Sequence, residues 1–388
     1  MPDSAARGPD VGSSVPDTAA RGRRPGLVGI GALVLALLGV GWLVLGFLTF
    51  HGGEGWGYDF LAYRDASVRL GETRSLYQAE TLEGPYRPGP YGLYMYAPPL
   101  GVAMAPLTQL SPDAGVSLWF LLHVGALALA CAVMPARPLI RLAAFGVAAL
   151  SYGATRDIVL GNVSVLLLLP TAVAWRWLDR PIGSIAQAIA ISIRPTLGIL
   201  LVWQLLRRAW RPVAWTIGAG LVLILVTLPF VGIGGYLEYL TVLRNLSGVT
   251  GVFNNFDISS TLVLLGVDEQ MASLALLAGY GVAIGAMLLS LRRDPEVGFM
   301  VTLTGSLLLS PLLWDHYLAM LVLPAAFLAQ RGRAWALALP LLTWLPKETY
   351  PLILVAALWL PFLAQATETS TRRAALPRSD ASPSGAPA

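Results

Sequence analysis

The sequence predicts an all-α polytopic membrane protein, and three observations carry the prediction. Of its 388 residues, 56% are hydrophobic and only 12% are charged, against about 25% charged in a soluble domain. Apolar runs approaching the ~20 residues that cross a bilayer recur along the chain. Those runs, such as SVLLLLPTAVAW at 164–175, are continuous, whereas the strands of a membrane barrel alternate in polarity.

Taken in order, residues 1–26 are dominated by Pro, Gly, Ser, Ala, Asp and Arg, too polar to bury a core, and are expected to be a disordered tail. The same holds for 364–388. The run LVGIGALVLALLGVGWLVLGFLTF at 27–50 is too long for the ~7–15-residue apolar region of a signal peptide and reads as an uncleaved first span. Arg21, Arg23 and Arg24 precede it, so the positive-inside rule puts both tails in the cytoplasm and a large first loop, 51–113, outside. Further arginine pairs at 137/141, 176/180, 207/208, 292/293 and 331/333 fall on the inside if spans run near 27–50, 114–134, 138–155, 161–177, 182–193, 196–206, 213–231, 271–290, 297–313, 317–330, 334–346 and 350–363. Residues 94–110 would invert that pattern if they crossed, so they are expected to lie in the outer interface. Segments 182–193 and 196–206 are each about 12 residues and meet at Arg194-Pro195. Proline ends helical hydrogen bonding, and a charged break at membrane depth survives only where it lines a protein or water cavity.

The positive charge of +4 comes from arginines in short loops, with Lys347 the sole lysine. Topology accounts for them, and nucleic acid is not an expected partner. Three histidines and the single Cys131 supply neither a disulfide framework nor a zinc set. No phosphate-binding glycine loop, nucleophile elbow or dinucleotide fingerprint is present, so no metal or other cofactor is expected.

The polar residues gather on the predicted external face, and five constellations stand out. Asp59, set among Trp56, Tyr58, Phe60 and Tyr63 just past the first span, is either loop surface or a general base at the bilayer surface, with the aromatics as a sugar platform. In YAPPL the prolines read as a helix start, while Tyr96 can face a site. In RDIVLGN (156–162), expected as a turn between spans, Arg156 and Asp157 form an ion pair or else Arg156 and Asn162 meet a phosphate or sugar hydroxyl. Arg194 is ionisable within a membrane segment, which marks a functional position, and a guanidinium fork suits phosphate. In SPLLWDHY, Asp315-His316 beside Trp314 is a structural pair or a catalytic imidazole. His51 and His123 read as interfacial and packing residues.

These motifs come in a fixed order: a loop opening YDF and closing SLY, then YAPPL, a Gly-Asn at a span start, an Arg-Pro break followed by RRAW, and SPLLWDH. The order resembles glycosyltransferase family 87, membrane enzymes of the GT-C class, and is similar to their polyprenol-phosphate-mannose-dependent α-1,2-mannosyltransferases, over roughly 27–363. The resemblance implies a GT-C-type fold with about 10–12 transmembrane helices in the plasma membrane and an extracytoplasmic active site. It implies a polyprenyl-phosphate-linked sugar donor and a lipid or glycan acceptor beside membrane lipid. It places the acidic residue of the first external loop on Asp59, the basic residue before proline on Arg194, and the histidine motif on Ser310–Tyr317, with His316 kept and Tyr317 replacing a second histidine. The expected catalytic residues are Asp59 as inverting general base and His316. The expected substrate contacts are Arg194, Arg64, Tyr63, Tyr96, Arg156, Asn162, Trp314 and Asp315. The alternative is a lipid or sugar transporter or flippase, for which broken helices are also a trait, although no inverted repeat is visible.

Overall fold

The computed structural model describes residues 26–84, 92–246 and 255–375, and the tails expected at 1–26 and 364–388 lie largely outside them. Helices and 3-10 helices are the only regular elements among the described residues. In chain order the helices are α1 (Leu27–Phe50), α2 (Tyr58–Thr73), α3 (Ala79–Glu83), α4 (Pro98–Ala103), α5 (Pro112–Val133), α6 (Pro138–Leu150), α7 (Tyr152–Leu160) and α8 (Ser164–Arg176). They continue with α9 (Pro181–Ile193), α10 (Ile199–Leu206), α11 (Trp210–Leu246), α12 (Ile258–Leu264), α13 (Glu269–Ser290), α14 (Pro295–Leu308), α15 (Val322–Gln330) and α16 (Tyr350–Ala375).

Burial sorts them by role. Every residue from Val297 to Leu308 in α14 and from Val322 to Ala329 in α15 is buried, so these helices form the centre. Helices α1, α11 and α13 lie at the periphery and leave apolar faces open, with Leu37, Leu225 and Leu277 each more than 60% exposed. In water such faces are untenable, but against lipid they cost nothing. Glycines bring α1 and α6 together: a Cβ on Gly39 would stand 3.0 Å from the Gly146 Cα, and one on Gly146 would collide with the Leu35 backbone. Close backbone approach through small residues is how membrane helices gain packing where hydrophobicity gives no drive.

Among the described residues five helices are long and apolar enough to cross a bilayer, and a sixth if the pair α6 and α7, bent by 63°, is one span. That is fewer than the twelve segments expected, because several are short or 3-10 helical: α8, α9, α10 and the 3-10 turns at Asp315–Leu321 and Ala334–Trp344. The break at Arg194-Pro195 is present, with Arg194 extended (φ −122°, ψ 98°) between α9 and a 3-10 turn. The expected 213–231 span is the first part of α11, which runs to Leu246 with its backbone broken at Gly232 (φ 63°, ψ −179°). Much of the external loop expected from Gly232 is therefore helix, and its remainder, 247–254, lies outside the described residues. In the described part of the 51–92 region, Tyr58–Thr73 and Ala79–Glu83 are helical, with α2 packed on α4, α5 and α7. Arg156 and Asp157 sit within α7, and the expected turn is reduced to Gly161 (φ 69°) and its neighbours.

Candidate active site

The site is assembled at the N-terminus of α2. Gly57 (φ 72°) starts that helix, and its N–H donates to the Val159 carbonyl at 2.9 Å, pinning α2 to the end of α7. Asp59 follows in the first turn of α2. Asn162 donates from Nδ2 to Asp59 Oδ2 at 2.8 Å. Backbone approaches from the other side: a Cβ on Gly92 would stand 2.6 Å from Asp59 Oδ1. Burial pushes the Asp59 carboxyl above its usual value and Asp157 adds to it, while His316, the Asn162 hydrogen bond and Arg156 pull the other way. The helix N-terminus also favours the anion, but desolvation wins.

The amide of Asn162 is fully oriented. Its Oδ1 accepts from the Val163 N–H at 2.7 Å, the Tyr96 hydroxyl at 3.2 Å and, more weakly, the Ser164 hydroxyl at 3.5 Å. With Oδ1 committed to donors, Nδ2 can only point a donor at Asp59. Its backbone carbonyl meets His123 Nε2. Asp157, fully buried, does not pair with Arg156. It accepts from the Ser164 and Val165 N–H groups at 3.0 and 2.7 Å, capping α8, and lies 3.5 Å from His123. The Arg156–Asp157 ion pair, one of the two readings of this stretch, is therefore replaced by a cap, because the first N–H groups of α8 need an acceptor. His123, expected only to pack, also holds the Asn162 backbone.

Arg194 is only 5% exposed, yet no carboxylate among the described residues pairs with it. It donates from Nη2 to Ser164 Oγ at 2.7 Å, and its guanidinium carbon lies 3.5 Å from the centre of the Tyr317 ring. Its Nε and Nη1 are buried without a hydrogen-bond partner. A hydrogen-bonded chain thus runs from Arg194 through Ser164 and Asn162 to Asp59. A buried cation with two unpartnered nitrogens is costly unless an anion arrives.

Beside it, His316 Nδ1 lies 3.2 Å from Asp315 Oδ1, and Lys347 Nζ lies 3.2 Å from Asp315 Oδ2. Burial alone would raise the Asp315 carboxyl, but His316, Lys347 and Arg156 hold it well below the usual carboxylate range. An ionised Asp315 fixes the ring, which also stacks on Trp314 (7° between planes) and meets Tyr317 edge-on. His316 Nε2 is buried and unpartnered.

The structure therefore brings together Asp59, Asn162, Tyr96, Arg194, His316, Asp315 and Trp314. Tyr63 is buried with its ring edge-on to Tyr96 at 5.1 Å. Arg64 is elsewhere: its guanidinium donates to the Thr108 and Leu110 carbonyls, both at 3.3 Å, tying α2 to the segment before α5. Five residues is ~140° around a helix, so Arg64 and Asp59 leave α2 on different faces. Arg156 makes no hydrogen bond or ion pair among the described residues and lines a separate cavity. Sequence reading missed Ser164 and Gly92, and gave Lys347 no role. Ser164 carries a signal in hindsight, a hydroxyl immediately after the Gly-Asn motif. Gly92 carries none.

No curated protein and no solved structure matches the chain. The family model described as glycosyltransferase family 87 matches residues 94–313.

Proposed function

The chain belongs to glycosyltransferase family 87, and from that premise we propose that it transfers a mannosyl group from a polyprenyl-phosphate donor to a lipid or glycan hydroxyl, at the extracytoplasmic face of the plasma membrane, with Asp59 as general base. One observation carries the reading: a single hydrogen-bonded chain joins a carboxylate with a raised pKa to a buried guanidinium whose Nε and Nη1 have no hydrogen-bond partner. Those are the two needs of the reaction, a proton acceptor and an anion receptor.

In the proposed step Asp59 takes the proton of the acceptor hydroxyl. The freed electron pair attacks the anomeric carbon from the face opposite the phosphate. The bond from that carbon to the phosphate oxygen breaks, its electrons stay on oxygen, and polyprenyl phosphate leaves. The anomeric configuration inverts, as when a carboxylate activates water in an inverting glycosidase. General-base help is worth about 10²–10⁴ in rate. The leaving phosphate needs cations more than a proton, and Arg194 offers donors in a water-poor site where they act strongly, while the His316 ring, oriented by Asp315, meets the same Tyr317 side chain as Arg194. Tyr63, Tyr96 and Trp314 supply the aromatic walls that sugars favour.

The test is transfer by purified protein in nanodiscs, offered radiolabelled polyprenyl-phosphate mannose or a nucleotide-activated mannose, with membrane lipids as acceptors. Transfer from the lipid donor alone is expected, falling by about 10²–10⁴ in Asp59→Asn. Full activity in folded Asp59→Asn removes Asp59 from its role, and transfer only from the nucleotide sugar removes the donor class.

A further inference from the structure

A cavity of about 380 Å³ opens between the end of α1, α7 and Trp344, and none of Asp59, Asn162, Arg194 or His316 lines it. Its size falls in the ~300–1,000 Å³ range of ligand pockets. Its walls are Trp42, Leu45, Phe50, Tyr152, Val159 and Trp344, with Arg156 among them. The polar atoms of the two indoles face the protein: Trp42 Nε1 donates to Thr155 Oγ1 at 2.9 Å and Trp344 Nε1 to the Leu150 carbonyl at 2.8 Å. The rings stand edge-on with centroids 6.0 Å apart. What the wall presents is therefore almost wholly hydrocarbon, which suits a chain and not a sugar.

Arg156 is the exception. It is half-buried and has no hydrogen-bond or ion-pair partner among the described residues. The carboxylates nearest in influence are already engaged, Asp59 by Asn162 and Asp315 by His316 and Lys347. An apolar cleft beside a peripheral spanning helix, with one guanidinium that has no hydrogen-bond or ion-pair partner among the described residues and with flanking tryptophans, matches a chain with an anionic head.

We propose that this cleft binds an anionic bilayer phospholipid, one acyl chain between α1 and α7 and its phosphate on Arg156. The bilayer is the source because α1, which forms one wall, faces lipid along its open side. The site is distinct from the reacting sugar and needs no transfer to be seen.

The test uses the full chain in nanodiscs with phosphatidylglycerol or phosphatidylcholine carrying a photoactivatable diazirine in the acyl chain, and maps the labelled peptides. Label is expected on 42–50 and 152–159, with phosphatidylglycerol favoured about fivefold, the factor one surface cation supplies. Arg156→Gln should reduce phosphatidylglycerol labelling to the phosphatidylcholine level, and Arg156→Lys should restore the preference. Gly46 also lines the cleft, and a Cβ there meets nothing within 4 Å, so Gly46→Phe should fill the cleft and abolish label from both lipids at these peptides. Equal labelling by both lipids, indifferent to Arg156→Gln, means annular lipid only and overturns the proposal. So does displacement of the label by an equal amount of polyprenyl phosphate, which would make the cleft part of the donor's track. Inactivity in transfer would touch the proposed function and leave this result standing.

Discussion

Asp59 has a first-turn position that favours its charge and a burial that opposes it, and burial prevails. Only the ionised carboxylate accepts a proton, so transfer should rise with pH along an acid limb above the ~3.9 of a free aspartate. The Asn162 hydrogen bond favours the ionised form. Asn162→Ala should therefore move the limb of kcat/KM upward, and a limb that stays put or moves down contradicts the role given to Asn162. At this scale the sequence was only partly informative. Asp59, Arg194 and His316 stand out because charged or titratable groups are rare in an apolar chain. Gly92 and Ser164 do not, because a close approach of backbone and a hydroxyl shared between two groups are facts of three-dimensional placement. Arg64 looked equal to Asp59 in the same loop, and only the helical turn separates them.

At the scale of elements, α7, Gly161 and α8 act as one cassette. The Asp157 carboxylate caps α8, His123 braces both Asp157 and the Asn162 carbonyl, and Trp119 Nε1 donates to the Gly161 carbonyl at 2.8 Å. Gly161 cannot carry a side chain easily, since its φ is 69° and a Cβ would stand 2.8 Å from the Phe60 Cβ. Asp157→Ala should lower stability by about 1–3 kcal/mol through unsatisfied N–H groups. It should also slow transfer, up to about 10²-fold, by displacing Asn162. A thermal unfolding curve with a parallel transfer assay checks both, and a lowered Tm with unchanged transfer would show that the cap does not set Asn162. The helix break at Arg194-Pro195 was legible because proline punctuates helices. The helix through Arg156 was not, since polar residues between two apolar runs have the composition of a turn.

At the scale of the molecule, composition and apolar period gave the class directly, because no soluble packing buries so much hydrocarbon with so few charges. The helix inventory was harder. Apolar residues at membrane depth look alike whether they lie in one long helix, in a bent pair such as α6 and α7, or in the 3-10 turns flanking α15. Closeness of helices is also invisible until glycines are seen facing each other. Gly146→Leu should drive α6 away from α1 and cost about 1–3 kcal/mol in overpacking, read as a lower Tm in detergent. An unchanged Tm would mean that the α1–α6 contact contributes little.

The hydrogen-bonded chain that links Asp59 to Arg194 also has a bearing on biogenesis. Its first bond joins residues 103 apart and its last joins residues 30 apart, while His316 is made later still. At ~5–20 residues per second of synthesis, roughly tens of seconds separate Asp59 from His316. Asp59 waits for Asn162, and Arg194 emerges after its partner Ser164, but the Tyr317 ring under Arg194 and the imidazole are made only at the end of that interval. A chain released before the 3-10 turn at Asp315–Leu321 carries the acid, the amide and the arginine without the imidazole.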